Sequence, residues 1–177
     1  MYGLEIINFT NNAVDSISDD NYMIPMKFKR FRDIILNSNR IRTINITFSR
    51  MIPNLKYLLV ADNMVSYISP NIFRNLTDLK YLDLSKTQYL YIRKKLVERQ
   101  YQTNGYFLHI QCNKLNNISN FSQSNALQQV SFSNNYFSGT RGKAFSSLSN
   151  LQIVDLTNTN ISNLQPENRH YSPLPMP

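Results

Sequence analysis

The stretch Asn75–Thr87, NLTDLKYLDLSKT, puts leucines at Leu76, Leu79, Leu82 and Leu84. The successive gaps of three, three and two residues fit neither period: a helix needs apolar positions three and four apart, a strand strict alternation. Burying all four side chains therefore requires the chain to change direction inside the segment. Only the last pair, Leu82 and Leu84, has the alternation of a short strand.

The same pattern recurs. Written L-x-x-L-x-L-x-x-N-x-L, it begins at Leu4, Phe31, Leu55, Leu79, Gly105, Leu127 and Leu151, with separations of 27, 24, 24, 26, 22 and 24 residues. A period in this range signals a coil-upon-coil solenoid in which no single repeat buries its own apolar residues. In each coil the fourth and sixth residues point inward from a strand. The eleventh (Val65, Leu115, Phe137, Ile161) returns to the interior after a turn. An outer segment adds Phe73 and Leu76, Phe121 with Ser124, and Phe145 and Leu148. Strands are expected near 6–9, 33–36, 57–60, 81–84, 107–110, 129–132 and 153–156.

The ninth position holds Asn12, Asn39, Asn63, Thr87, Asn113, Asn135 and Thr159. An asparagine carries two donors and an acceptor on a short stem, enough to satisfy backbone groups exposed by a sharp inward turn and to tie one coil to the next. Thr87 and Thr159 bring a single hydroxyl, so looser coils are expected there. Two repeats depart from the pattern. The first contains DDNYMIPMKFKR, read as an outer loop, and the fourth contains YIRKKLVERQYQTNG, where Ile92, Leu96 and Val97 have helical spacing.

The repeats resemble the leucine-rich-repeat family over Leu4 to about Leu164. The segment Ile68–Ser85, ISPNIFRNLTDLKYLDLS, is similar to the 24-residue subtype of extracellular animal proteins, including Toll-like receptor ectodomains. The resemblance implies an α/β-type solenoid: a horseshoe with a concave parallel β-sheet and irregular or short helical convex segments. Residues 1–164 form the solenoid and 165–177, QPENRHYSPLPMP, an extended or disordered tail. The resemblance further implies non-enzymatic recognition of a protein or microbial product, with signalling in innate immunity. The chain begins inside a repeat and lacks cysteine-bearing caps, so it reads as part of a longer cell-surface or secreted receptor. A cytoplasmic interaction scaffold is the alternative.

The chemistry in the chain is sparse. Four glycines form no phosphate loop, and one cysteine, Cys112, allows neither an intrachain disulfide nor a cysteine-rich zinc site. His109 and Cys112, three apart, fall on opposite faces of an ideal strand, which makes a poor nucleophile–base pair. No catalytic residue, metal or cofactor is expected. The net charge of +8 is uneven, with seven basic residues against Asp33 between Lys27 and Arg50. The spacing does not interleave aromatics with these charges on one face, so no nucleic-acid partner is expected, and no apolar run is long enough to span a membrane.

The concave face is the expected ligand site. Tyr57, Tyr81 and Phe107 share the third position of successive coils, flanked by Lys56 and Lys80 at the second and by Leu59, Asp83 and His109 at the fifth. Apolar ends at Leu4, Ile7 and Phe9 leave self-association open. Of six N-x-Ser/Thr sequons, Asn45 and Asn75 fall on outer segments suited to a glycan, whereas Asn8 and Asn160 lie on or beside the strands.

Overall fold

The computed structural model describes residues 3–17, 30–45, 52–69, 76–87, 106–116, 126–137, 145 and 148–161. Ten short strands follow in chain order: β1 (Ile6–Asn8), β2 (Ser16–Ile17), β3 (Asp33–Ile35), β4 (Thr43–Ile44), β5 (Tyr57–Leu59), β6 (Tyr67–Ile68), β7 (Tyr81–Asp83), β8 (Tyr106–His109), β9 (Leu127–Ser131) and β10 (Ile153–Asp155). Seven of them form one parallel sheet in the order β1-β3-β5-β7-β8-β9-β10, so each coil contributes a strand beside its predecessor. All seven fall where the repeat places them. The chain is a parallel-sheet solenoid.

The uneven leucines of the opening stretch all reach one interior. Leu76, Leu79, Leu82 and Leu84 are buried to within 1% of full occlusion. Leu82 sits in register with Leu58 on one side and Leu108 on the other, which makes the fourth position a continuous apolar row through the stack. The eleventh-position residues Ile41, Val65, Leu115 and Phe137 are buried in the same core. Phe132 meets Phe137 edge-on at 5.6 Å inside the sixth coil.

A second, three-stranded parallel sheet, β2-β4-β6, lies on the far side of the first three coils. Its inward residues Ile17, Ile44 and Ile68 are buried. They occupy the fourteenth position of the repeat, an apolar recurrence that predicts this sheet once the period is extended past the eleventh residue. Irregular or helical convex segments were the expectation; in these coils the β-branched isoleucine favours a strand instead. The helical reading of Ile92, Leu96 and Val97, the basic loop after Asp20 and the tail from residue 165 all lie outside the described residues.

Each coil turns at the same backbone conformation. Asn11, Ser38, Asp62, Lys86, Cys112, Asn134 and Asn158, all at the eighth position, have φ between 51° and 59°. This left-handed step lets the backbone ladder outrun the strands: the Asp62 N–H donates to Ser85 O at 3.0 Å, Lys86 to Gln111 O at 2.9 Å and Cys112 to Ser133 O at 2.9 Å. It also swings the following side chain inward. Asparagine and aspartate tolerate this conformation; Lys86, Cys112 and Ser38 adopt it at a cost of about 1 kcal/mol each.

Inward asparagines then join the coils. The Asn63 amide donates to Leu36 O of the preceding coil at 2.9 Å and to Val60 O of its own at 3.0 Å, and its Oδ1 accepts from the Ile41 N–H at 3.0 Å. Asn39 and Asn135 repeat the arrangement with Phe9 O and Ile110 O, and Asn113 with Leu84 O. Asn12, in the first coil, is exposed and donates only within its own turn. Thr87 Oγ1 lies 2.7 Å from Asn113 Oδ1 and 3.1 Å from Leu84 O, so one proton faces two acceptors and none reaches the coil before it. Thr159 Oγ1 donates only to Leu156 O of its own coil, at 2.7 Å. Thr87→Asn would supply a donor for Val60 O and an acceptor for the Val65 N–H while giving up the bond to Asn113. A net gain of about 1 kcal/mol is expected, read as a higher urea midpoint at unchanged slope.

Candidate functional site

Inward fourth and sixth residues leave the second, third and fifth facing outward on the seven-stranded sheet. Register then decides which of these become neighbours. The third-position row runs Ile6, Asp33, Tyr57, Tyr81, Phe107, Gln129 and Ile153. Tyr57 and Phe107 are 42% and 36% exposed, and Tyr57 and Tyr81 lie 6.3 Å apart between ring centroids with a 32° tilt. Tyr81 also packs on the His109 ring at 4.9 Å. The aromatic column is thus a contact surface of four rings, its middle tyrosine half-buried. Burial, and then the neighbouring Asp83 carboxylate, push the Tyr81 phenol above its ordinary pKa, so it stays a neutral donor at physiological pH.

The residues around the column fall as the repeat assigns them. Lys56 and the exposed Lys80 precede the tyrosines on their strands, and half-buried Leu59, Asp83 and His109 form the fifth-position row. That row continues into Ser131 and Asp155. Ser131 Oγ donates to Asp155 Oδ2 at 2.8 Å, and the Thr157 N–H donates to Asp155 Oδ1 at 3.0 Å. The backbone and side chain of Thr157, then Ser131 and Ser133, hold the Asp155 carboxyl down at about 2. Because this folded value lies below that of a free carboxyl, Asp155 stabilises the fold fully above about pH 4 and loses that contribution as pH falls towards 2.

Ser131 and Asp155 were not among the expected site residues, yet they have a sequence signal. Fifth-position Asn8, Asp83 and Asp155 are each followed two residues on by a hydroxyl residue, Thr10, Ser85 or Thr157, whose N–H the side chain caps at 2.9 to 3.0 Å. The row Asp83–His109–Ser131 has the composition of an acid–base–nucleophile set. No hydrogen bond joins His109 to either neighbour, however, and the Ser131 proton is committed to Asp155. Cys112 is exposed at the left-handed turn beyond the strand. The row assembles no nucleophile–base pair.

Charge on this face is balanced although the chain carries +8. Among the outward positions, Arg32 pairs with Glu5 at 3.5 Å. Lys56 and Lys80 then face Asp33, Asp83 and Asp155, two cations against three carboxylates. Among the described residues none of these five makes an ion pair. No group of residues suited to a metal ion occurs there either.

The leucine rich repeat family profile matches residues 29–88, which hold the second and third coils and the start of the fourth. Residues 29–88 carry leucine-rich repeats. No curated protein matches the chain. Among solved structures, the crystal structure of a TLR13–ssRNA13 complex superposes with a TM-score of 0.75 at 19% identity, over 88% of this chain. The chain spans 21% of that receptor's length. The shared feature is the leucine-rich-repeat fold, and a repeat-built interaction module is what the two matches support. Of the sequon asparagines, Asn45 is exposed directly after β4, and Asn75 lies outside the described residues. No helix among the described residues is long and apolar enough to cross a membrane.

Proposed function

We propose that the chain is a non-enzymatic recognition module of a cell-surface or secreted leucine-rich-repeat receptor, and that it captures a protein or microbial product on its concave face. The observation carrying this reading is the outward column of Tyr57, Tyr81 and Phe107, which leaves aromatic area exposed in a concave, charge-rimmed setting. Exposed aromatics of this kind supply most of the energy in protein interfaces. Resemblance to a Toll-like receptor ectodomain adds signalling to the reading by fold analogy alone. That neighbour was solved in complex with single-stranded RNA. The balanced charge of the concave face here favours a protein ligand over a polyanion.

Panning a displayed dodecapeptide library on the folded chain tests the site. Binders should be lost to the triple variant Tyr57→Ala, Tyr81→Ala, Phe107→Ala, while its melting curve stays within a few degrees of the parent. Binders that persist on the triple variant would place recognition elsewhere. An intracellular interaction scaffold is the second reading, favoured by the exposed thiol of Cys112, which an oxidising compartment tends to consume. Expression through a secretory host separates the two. Glycosylation at Asn45 and Asn75, seen as a glycosidase-sensitive mobility shift, is expected of the receptor; no shift, with a cytosolic location, favours the scaffold.

A further inference from the structure

Lysines and carboxylates share the concave face without pairing, and apart from Asp33, which begins β3 beside Tyr57, they are segregated. Lys56 and Lys80 lie at the N-terminal ends of the third and fourth strands of the sheet, β5 and β7. Asp83 and Asp155 lie at the opposite strand ends, running towards the seventh strand, β10. Three residues along a strand cover about 10 Å and each strand spacing adds about 4.8 Å, so the two charge groups are separated by roughly 10 to 22 Å across the aromatic column. Asp83 keeps one carboxylate oxygen on the Ser85 N–H, at 2.9 Å, and the other has no protein donor among the described residues.

From this separation we infer that the concave face takes an extended ampholytic polypeptide segment, its acidic group over Lys56 and Lys80, its basic group over Asp83 and Asp155, and neutral residues across the aromatic column. An extended chain advances about 3.3 Å per residue, so three to six residues separate the two charges. The inference rests on the concave-face reading and adds the chemistry of the occupant. A polyanion such as single-stranded RNA would gain the two lysines but meet Asp33, Asp83 and Asp155 along the same track. A polycation would meet the reverse. A desolvated charge facing its own sign is strongly disfavoured, and that penalty gives the face its selectivity.

The test uses the full chain and four fluorescent probes: a decapeptide with two glutamates and two arginines four neutral residues apart, an all-glutamate and an all-arginine decapeptide, and a 13-nucleotide oligouridine. The ampholytic peptide is expected to bind at least tenfold more tightly than any other probe. Lys56→Glu with Lys80→Glu, and separately Asp83→Lys with Asp155→Lys, should each weaken it at least tenfold, with circular dichroism unchanged. If the second pair perturbs folding, Asp83→Asn with Asp155→Asn reads the same loss. Tighter binding of the oligouridine or of either uniform peptide overturns the inference. So does absence of ampholyte binding, which leaves the concave-face reading intact if library binders are still lost on the aromatic triple variant. Library binders that survive that variant sink the concave-face reading itself.

Discussion

Leu82→Asp is expected to abolish the cooperative unfolding transition of the chain. Leu82 is 1% exposed at the centre of the fourth coil, with Leu58 and Leu108 in register on either side. Removing its side chain forfeits about 2 to 3 kcal/mol of apolar burial. The carboxylate that replaces it finds no donor in an apolar row, and its burial costs several kcal/mol more. The sum rivals the whole stability of a typical domain, about 5 to 15 kcal/mol. Circular dichroism melts should show no two-state transition for Leu82→Asp, whereas Leu82→Met should stay within about 1.5 kcal/mol of the parent. An unchanged melt would show that the fourth position does not face the core.

The second large effect belongs to a polar residue. Asn63→Ala strands the carbonyl of Val60 and the N–H of Ile41, both buried, and leaves Leu36 O only its bond from Asn39. A buried group left unsatisfied costs about 1 to 3 kcal/mol, and water entering the small void recovers part of it, so a loss of about 2 to 4 kcal/mol is expected in urea unfolding. Asn63→Asp should be no better, because a carboxylate offers both carbonyls no donor. Asn12→Ala, at the exposed rung whose amide donates only to Phe9 O and Thr10 O, should cost less than 1 kcal/mol. Equal losses at Asn12 and Asn63 would mean that bridging between coils contributes nothing.

The repeat makes the fold legible because it is redundant. Leu82 and Leu84 are two leucines among many, but the same spacing at Leu58 and Val60, Leu108 and Ile110, and Val130 and Phe132 leaves one solution for the register. The concave column followed from that register alone, since neighbours on a parallel sheet are residues at equal repeat positions. The convex strands were missed because the fourteenth position, isoleucine at Ile17, Ile44 and Ile68, lies beyond the eleven-residue pattern. The network of Ser131 and Asp155 was missed for another reason. Serine and aspartate on an outward face read as solvated polarity, and only the cross-strand geometry shows the hydroxyl held by the carboxylate. The charge balance of the face was equally hidden, because the whole-chain excess of +8 points the opposite way.

The missing reach of the Thr87 hydroxyl has a mechanical meaning. Coils stacked along one axis carry a pulling force as springs in series, each interface bearing the full load, so the first to part is the one with the fewest bonds across it. Between the third and fourth coils the backbone ladder from Val60 N to Asp83 O, 2.9 Å, and from Asp62 N to Ser85 O, 3.0 Å, is intact, but no side-chain amide reinforces it from Thr87. Thr159 lacks the same reach, but there Ser131 and Asn158 bridge the sixth and seventh coils, so a solenoid stretched between its ends should part at the Thr87 seam before that one. In a molecule that is tugged by what it holds, Thr87 is the fuse.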